Sequence, residues 1–478
     1  MTHAISRLVH RITGSDAGPT STPDPTRDWG TWKGWGTSLA WWANVYGDRD
    51  VIHDLVAAFF TTGTATVEGH ELPGLGLTIA RYNAGGCATR PVGGDHMQVS
   101  PNIPPWKQIE GYWLDDASTD PGSASWDWAA DPRQRAVLRL ARDAGADRFE
   151  LFSNSPMWWM LENHNPSGAA DGSDNLTPGH YRNHARYLAT IAAYAREHWG
   201  IDFASVEAFN EPSSGRWKAD GTQEGCHIGA DVQQLVIPLL RAELDARGLR
   251  HTPIAASDEV NYDSARSTWG RLSDEARGIV DRINVHGYQQ HDGRRDLLYA
   301  NAHKAGKDLW NSEYGEHDPT GITMAGNLSL DMRWLHPTAW VYWQVIDGNN
   351  WGLIAGDQDT ATLGAVNTKY FVLAQYTRHI RPGMQILPAD DTDTVAAFDR
   401  ATARLVLVTL NTDQDQRRNY DLSKFSTVGG RAQNWTTVGD GSTLYGRGPD
   451  IEVAERRFSA DFPANSVRTF VLDGVTAR

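Results

Sequence analysis

The chain has 478 residues and a formal net charge of −15, with 44 Lys and Arg residues against 59 Asp and Glu residues. This charge disfavours nucleic acid and anionic membrane surfaces as partners, and no apolar run approaches the roughly 18 residues that a transmembrane helix needs. Hydrophobic residues make up 40% and charged residues 22%, which excludes general disorder and is typical of a globular protein.

The first 27 residues differ in composition from the rest of the chain. Residues 14–27 are rich in Gly, Ser, Thr, Pro and Asp, which predicts a disordered lead-in over residues 1–27. The same stretch has no apolar core of a secretory signal and no clear cleavage site. We therefore expect a cytoplasmic location if this is the natural start, and export if the natural chain begins earlier.

Eight short apolar runs follow between residues 28 and 382. Several are apolar almost throughout, which is typical of parallel strands buried on both faces. The predicted strands are Gly36–Trp42, Leu75–Asn83, Arg148–Asn154, Ala204–Glu211, Pro253–Glu259, Arg282–Tyr288, Lys307–Glu313 and Ala339–Ile346.

Amphipathic helices are predicted between the strands, and Gly145, Gly200 and Gly248 stand where three of them end. This alternation predicts a (β/α)8 TIM barrel over residues 28–382. An open doubly wound sheet is the alternative, but no G-x-G-x-x-G motif follows the first strand. The clearest predicted helices are Asp48–Thr61, Arg133–Ala144, Pro178–Trp199 and Asp231–Arg247.

The residue pattern of the sequence changes at Pro382-Gly383. Short β-type runs separated by Asp, Gly and Asn clusters follow, which predicts a smaller antiparallel β domain over residues 383–478. The predicted strands of this domain are Thr394–Phe398, Arg404–Asn411, Ala432–Val438 and Val467–Leu472.

Two glutamates at the ends of predicted barrel strands indicate the chemistry. Glu211 closes the fourth strand within Asn-Glu-Pro, and Glu313 closes the seventh. Active sites of such barrels lie at the carboxyl ends of the strands, so both side chains meet at one mouth. An acid that protonates the leaving oxygen and a carboxylate that attacks the anomeric carbon together cleave a glycosidic bond. The amide of Asn210 is placed to bind the sugar 2-hydroxyl.

Five segments of the chain carry a family resemblance. They are Gly34–Ala43, Arg81–Gly86, Ser153–Met160, Phe209–Pro212 and Ser312–Gly315. With these segments the chain resembles the clan A glycoside hydrolases, and most closely the endo-β-1,6-galactanase subgroup of family 30. The resemblance implies a retaining mechanism with Glu211 as acid/base and Glu313 as nucleophile. It also implies a β-sandwich joined to the barrel by an N-terminal strand, and β-1,6-linked galactan, such as arabinogalactan side chains, as substrate.

Other residues near the predicted strand ends are candidates for binding substrate. Arg81 is placed to orient the nucleophile and keep it ionised, and Tyr288 to donate a hydrogen bond to it. Trp343 is placed to form the floor of the subsite for the cleaved sugar. Asn154 ends the predicted third strand and Trp158 lies in the loop after it, and both are candidates for contact with the substrate.

The 20 tryptophans exceed what a core needs and predict a cleft on which sugars stack. At least one of Trp158 and Trp159 is expected to face this cleft. Trp41 and Trp42 are adjacent on a predicted strand, so their side chains should point to opposite faces, with one in the core.

We expect no cofactor and no metal. His164, His227 and His291 lack the spacing of paired metal ligands, and no G-x-S-x-G motif marks a nucleophilic serine. Cys87 and Cys226 are too few for a disulfide scaffold, and a bridge between them remains open.

The leading hypothesis is a monomeric, endo-acting retaining galactanase. Within the same class, the alternatives are an exo-β-1,6-galactobiohydrolase, a β-1,6-glucanase, a xylanase and a β-glucosidase. The alternative from another class is a carbohydrate-binding protein without activity, which would need no pair of glutamates.

Overall fold

The computed structural model describes residues 18–478, and its centre is a closed barrel of eight parallel strands. Each strand pairs with its neighbour in chain order, and the eighth pairs with the first, which places Trp340 opposite Trp35. The predicted (β/α)8 barrel is therefore confirmed. Numbered in chain order, the barrel strands are Gly34–Ser38, Ile79–Asn83, Arg148–Phe152, Ser205–Glu207, Ile254–Glu259, Arg282–His286, Asp308–Tyr314 and Ala339–Tyr342.

Helices surround the barrel, and several end at glycines, as predicted. Gly145, Gly200 and Gly248 have φ angles of 114°, 65° and 73°, a region that favours glycine. The α-helices are Ala40–Tyr46, Ile52–Phe60, Pro132–Asp143, Tyr181–Tyr194, Ala230–Ala246, Tyr262–Arg271, Asp274–Ile279, Arg295–Lys304, Ile322–Leu330 and Thr368–Thr377. The 3₁₀ segments are Pro105–Lys107, Trp158–Met160 and Pro178–His180, and the π-helical segments are Ala195–Trp199 and Asp331–Leu335.

The first barrel strand ends at Ser38, so the predicted strand up to Trp42 is wrong at its end. Trp41 and Trp42 lie on a helix instead. A contact distant in sequence favours the helix, because the Trp42 backbone N–H donates to Oε1 of Gln344 at 2.9 Å. The Trp42 indole also donates to the carbonyl of Ser38 at 2.8 Å. The two tryptophans still diverge, since Trp42 packs in the main core and Trp41 in a separate cluster.

Strands outside the barrel form sheets in which most pairs are antiparallel, and most of these strands lie after residue 384. A six-stranded sheet and a three-stranded sheet enclose an apolar core, which gives the predicted β-sandwich. In order across the large sheet, its strands are Gln385–Leu387, Thr394–Asp399, Arg404–Asn411, Ser466–Asp473, Arg431–Val438 and Gly446–Glu452. The other strands are Thr20–Ser21, Gln416–Asp421 and Arg457–Phe462 in the second sheet, and Thr64–Val67, His70–Pro73, Ile346–Asp347, Ile354–Asp357, Thr362–Val366, Phe425–Thr427 and Thr476–Ala477 in smaller ones.

The large sheet of the sandwich buries both of its faces. On Arg404–Asn411, Leu405 and Leu407 face the sandwich core, and Val406 and Val408 belong to the core that the sheet shares with the barrel. Polar contacts join the same two parts, since Thr469 Oγ1 donates to the carbonyl of Gln375 at 2.9 Å. The division of the chain into two domains at residue 382 therefore stays a prediction.

The predicted disordered lead-in falls partly on residues 1–17, which lie outside the described residues. From residue 18 onward the chain is ordered, contrary to that prediction. Thr20–Ser21 form a strand that runs parallel to Gln416–Asp421 in the small sheet of the sandwich. Ser21 is buried, and its hydroxyl lies 2.7 Å from the hydroxyl of Thr394. Backbone hydrogen bonds at a distance of about 400 residues along the chain therefore order this segment.

The structure also answers two questions about the cysteines and the helices. Cys87 and Cys226 are both buried and both are free thiols, so they do not form a bridge. Among the described residues, no helix is both long enough and apolar enough to cross a membrane.

Candidate active site

A cavity of about 580 Å³ opens at the carboxyl ends of the barrel strands. It is lined by residues from the loops after strands one, four, six, seven and eight, as well as by the Lys107 region. Its tryptophans are Trp41, Trp217, Trp343 and Trp351, its carboxylates are Glu211, Glu313, Glu316 and Asp347, and its cations are Lys107 and Arg216.

Glu211 lies four residues beyond the fourth strand, in a turn with little freedom. Its φ of 45° is in the left-handed region, which residues other than glycine seldom adopt. Its N–H donates to the carbonyl of Asp258 at 2.8 Å, and its carbonyl accepts from the indole of Trp217 at 2.8 Å. The backbone is thus held on both sides, and the side chain lines the cavity.

Glu313 lies on the seventh strand itself, near its end. Its Oε1 accepts from the hydroxyl of Tyr288 at 2.8 Å, and its Oε2 from Nη1 of Arg81 at 3.1 Å. The predicted contacts of Arg81 and Tyr288 with this carboxylate are therefore present. Only 4% of Glu313 is exposed, so both contacts act in a medium with little water to screen them.

The two glutamates face each other across the cavity. A carboxylate oxygen of Glu211 and one of Glu313 lie within 4.8 Å of each other, and a nitrogen of His286 lies within the same distance of both. Retaining glycosidases hold their carboxyl groups about 5–5.5 Å apart, whereas inverting enzymes need about 6.5–9.5 Å. The short separation favours the retaining geometry.

Glu211, His286 and Glu313 are also the one group among the described residues whose atoms are close enough to hold a metal ion. Their positions disfavour a cation. Nδ1 of His286 lies 3.1 Å from Oε1 of Glu211, and the Arg81 guanidinium is bound to Glu313. A metal ion there would face the fixed positive charge of Arg81 and compete with these contacts.

His286 sits between three carboxyl groups. Its Nδ1 lies 3.1 Å from Glu211 and 3.4 Å from Oε1 of Glu313, and its Nε2 lies 3.1 Å from Oδ1 of Asp258. Burial lowers the pKa of His286, but the charges of Glu313 and Asp258 outweigh it and raise the pKa to about 10. The ring is therefore a buried imidazolium at neutral pH.

The carboxyl groups around this imidazolium respond in opposite directions. Burial raises the pKa of Glu313 to about 7, against the lowering effect of His286 and Arg81. Burial also raises the pKa of Asp258, but Arg81 and His286 lower it further, to a value well below its usual range. Asp258 is thus a permanent anion, and Glu313 depends on its two cations for its charge.

Arg81 links the nucleophile candidate to the barrel interior. It is fully buried, and its Nε donates to Oε1 of Glu150 at 2.9 Å while Nη2 donates to Oδ2 of Asp258. Its guanidinium carbon lies 4.1 Å from the centre of the Phe152 ring. Burial lowers the pKa of Arg81, but these carboxylates raise it above its ordinary value, so the guanidinium stays charged.

Two other predicted residues also line the cavity. The Asn210 side-chain oxygen is buried and has no hydrogen-bond partner among the described residues, which leaves it free for a sugar hydroxyl. Trp343 packs edge-on against Trp41, with ring centres 5.0 Å apart. Lys107 places its ammonium 4.0 Å from the centre of the Trp41 ring.

The structure does not place Trp158 and Asn154 on the cavity wall. Trp158 is fully buried in the main core, with its ring edge-on to His164, so its predicted contact with substrate is corrected. Trp159 is also in that core, where its indole donates to the carbonyl of Trp113 at 2.9 Å. The Asn154 amide is buried without a partner among the described residues, and a role for it stays a prediction.

Sequence reasoning did not assign Asp258 or His286, although both lie at strand ends. His286 is the last residue of the sixth strand, and Asp258 is the fifth residue of the fifth strand, which ends at Glu259. The rule that led to Glu211 and Glu313, applied to every strand, would have found them.

The sequence matches the family model described as O-Glycosyl hydrolase family 30 over residues 20–282. It is 53% identical to an endo-β-1,6-galactanase of Hypocrea rufa, over 96% of this chain and 95% of that protein. It is 23% identical to an exo-β-1,6-galactobiohydrolase of Bifidobacterium longum, over 86% of this chain and 36% of that protein.

Solved structures share the fold at lower identity. A conserved exported protein of Bacteroides fragilis superposes with a TM-score of 0.77 at 16% identity, over 95% of this chain and all of that one. A glycoside hydrolase family 30 subfamily 8 xylanase of Clostridium acetobutylicum superposes with a TM-score of 0.71 at 21% identity, over 96% and 100% of the two chains. At these identities the likeness concerns the fold.

Proposed function

This chain belongs to glycoside hydrolase family 30, and on that premise we propose that it is a retaining endo-β-1,6-galactanase. The observation that carries the proposal is the pair of buried glutamates whose nearest oxygens lie within 4.8 Å, at the base of a cavity lined by tryptophans. The substrate rests on the 53% identity to a galactanase over nearly the full length of both proteins.

The first step forms a covalent bond between the enzyme and the sugar. A carboxylate oxygen of Glu313 attacks the anomeric carbon, and Glu211 donates its proton to the oxygen of the leaving sugar. As the negative charge of Glu313 is consumed, Tyr288 at Oε1 and Arg81 at Oε2 hold the orientation of the carboxyl group. The Asn210 amide binds the 2-hydroxyl of the sugar under attack.

The second step releases the sugar with its original configuration. Glu211, now a carboxylate, takes a proton from water, which attacks the anomeric carbon from the face that the leaving group vacated. Two inversions at one carbon give net retention. His286 lies 3.1 Å from Oε1 of Glu211 and orients its carboxyl group in this step.

Charge balance supports this assignment of roles. Three buried cations, Arg81, Arg282 and His286, face the carboxylates of Glu150, Asp258 and Glu313. Burial raises the pKa of Glu207 well above its usual range, so that group is neutral. The cluster is then neutral as a whole with Glu313 as one of its anions, which agrees with Glu313 as the nucleophile.

Product analysis tests the proposal. The enzyme is incubated with β-1,6-galactooligosaccharides of graded length and with unbranched β-1,6-galactan, and early products are followed by chromatography and by proton NMR of the new anomeric centre. We expect a ladder of products that appear first in the β-configuration. A single product size indicates exo action, early α-products indicate inversion, and no cleavage of β-1,6-galactosides contradicts the substrate.

A further inference from the structure

We propose that Asp258 is a positioning residue that holds both catalytic carboxyl groups in place through Arg81 and His286. The inference rests on the roles proposed above for Glu211 and Glu313. Asp258 is fully buried and does not line the cavity, so it acts on the reaction only through its neighbours.

The two carboxylate oxygens of Asp258 serve two different cations. Oδ2 accepts from Nη2 of Arg81, whose Nη1 donates to Glu313 at 3.1 Å. Oδ1 lies 3.1 Å from Nε2 of His286, whose Nδ1 lies 3.1 Å from Glu211 and 3.4 Å from Glu313. One buried anion thus fixes two cations, and through them it reaches both glutamates.

The backbone and a neighbouring hydroxyl add two more links. The Asp258 carbonyl accepts the N–H of Glu211 at 2.8 Å, and Oδ1 accepts from the hydroxyl of Ser312, next to Glu313, at 2.5 Å. Asp258 and Glu211 have φ angles of 61° and 45°, conformations that cost energy in residues other than glycine.

Every side of Asp258 is occupied by charged or polar groups of neighbouring strands. Beyond Arg81, His286 and Ser312, its charge acts on Glu207, Arg282 and Glu313. Arg81 lies on the second strand, and the other groups lie on the fourth, sixth and seventh strands.

Only a carboxylate satisfies this arrangement. Arg81 donates a hydrogen bond to Oδ2, and a protonated His286 forms an ion pair with Oδ1, so both contacts need an oxygen on Asp258 and neither tolerates a donor. An asparagine has one acceptor oxygen, and its NH₂ group would face one of the two cations in either orientation. The substitution Asp258→Asn therefore breaks the contact with either Arg81 or His286. It keeps the size of the side chain and the backbone carbonyl that accepts the N–H of Glu211.

The first test uses the unmodified enzyme without substrate. Ring nitrogens of ¹⁵N-labelled histidine are followed by NMR from pH 5 to 9, and the His286 signal is assigned by its loss in His286→Gln. We expect His286 to be an imidazolium throughout this range, because the negative charges of Asp258 and Glu313 stabilise the doubly protonated ring. A His286 that is neutral at pH 7 overturns the proposal.

The second test compares Asp258→Asn with Asp331→Asn. Asp331 is a matched control, because it is also fully buried and accepts from a buried arginine, Arg295, at 2.7 Å and from Asn311 at 2.6 Å, away from the cavity. In Asp258→Asn we expect kcat to fall about 10- to 100-fold with KM nearly unchanged, and His286 to titrate within pH 5–9. Asp331→Asn should lower the melting temperature and leave kcat per folded molecule and the His286 titration unchanged.

Several outcomes contradict the proposal. An Asp258→Asn enzyme with unchanged kcat, or one that behaves like Asp331→Asn, assigns Asp258 a purely structural role. If Asp258→Asn does not fold, Ser312→Ala removes one donor to Asp258 without exposing a charge. A lower kcat at constant KM in that variant supports the proposal, and an unchanged kcat overturns it.

An incorrect substrate assignment can be distinguished from an incorrect role for Asp258. If the wild-type enzyme does not cleave β-1,6-galactan, the kinetic comparison uses the β-glycoside that it does cleave, and the NMR titration needs no substrate. The proposed function can therefore fail while the role of Asp258 stands, and the reverse also holds.

Discussion

The base of the active site and its wall are built in different ways. The base consists of charged groups on or just after barrel strands, such as Arg81, Asp258 and Glu313, and each is held by several contacts. The wall consists of aromatic groups on helices and loops, such as Trp41 and Trp351, with fewer polar contacts. The indole nitrogen of Trp41, for example, has no hydrogen-bond partner among the described residues.

The difference separates the reaction from the choice of substrate. Strands of a closed barrel have their backbone hydrogen bonds satisfied by neighbours, so groups on them keep precise distances. Loops at the barrel mouth tolerate changes of length and sequence, which makes them suited to select a sugar chain. Substitutions in the base should therefore lower kcat, and substitutions in the wall should mainly change substrate affinity.

The largest effect is expected in the base, at Glu313. Glu313→Gln keeps the shape of the side chain but removes the nucleophilic charge, so turnover should fall on the order of 10⁴-fold or more for every substrate. Initial rates on galactan and on an activated aryl galactoside measure the loss. If Glu313→Gln keeps wild-type activity on either substrate, another residue is the nucleophile.

Glu211→Ala should give a loss that depends on the leaving group. On galactan the rate should fall about 10²- to 10⁴-fold, since the leaving sugar needs a proton. An aryl galactoside with a good leaving group should show a burst of aryl alcohol followed by slow turnover. Azide, which needs no base, should speed that turnover and yield a β-glycosyl azide. If azide instead restores activity only to the Glu313 variant and gives a product of inverted configuration, Glu211 is the nucleophile and Glu313 the acid/base.

Trp343 tests whether the wall contributes through stacking. Trp343→Ala should lower kcat/KM on β-1,6-galactooligosaccharides about 10-fold, because a sugar ring loses its aromatic surface. Trp334→Ala serves as the control, since that tryptophan is 44% exposed and does not line the cavity. Equal kcat/KM values for the two variants would remove Trp343 from substrate binding. Thermal melts of both variants separate loss of binding from loss of stability.

The smallest effect is expected at the rim of the wall, where His317 holds Trp351. Nε2 of His317 accepts the Trp351 indole N–H at 2.8 Å, and its Nδ1 lies 3.1 Å from the carbonyl of Asn349. His317→Ala removes both contacts and should raise KM about 2- to 10-fold with little change in kcat. His317→Gln offers one acceptor and one donor and should recover part of the loss. A change in kcat alone would place His317 with the base.

Much of the fold follows from local patterns in the sequence. Eight apolar runs, the amphipathic segments between them and glycines such as Gly200 are features within a few residues of one another, and they predicted the barrel. Glu211 and Glu313 were predicted for the same reason, since the rule about strand ends needs only the position of each strand. Arg81 and Tyr288 were then found where that rule expects them.

What the tertiary structure alone decided depends on contacts between distant residues. Gln344 favours a helix at Trp42 over a strand, and residues near 420 order Thr20–Ser21. Trp158 lies in the core and Trp41 in the wall, although both follow barrel strands in similar aromatic runs. Asp258 and His286 gain their importance only when five strands bring their charges together. A local pattern determines which element a residue joins, but burial and charge pairing across the barrel determine what its side chain meets.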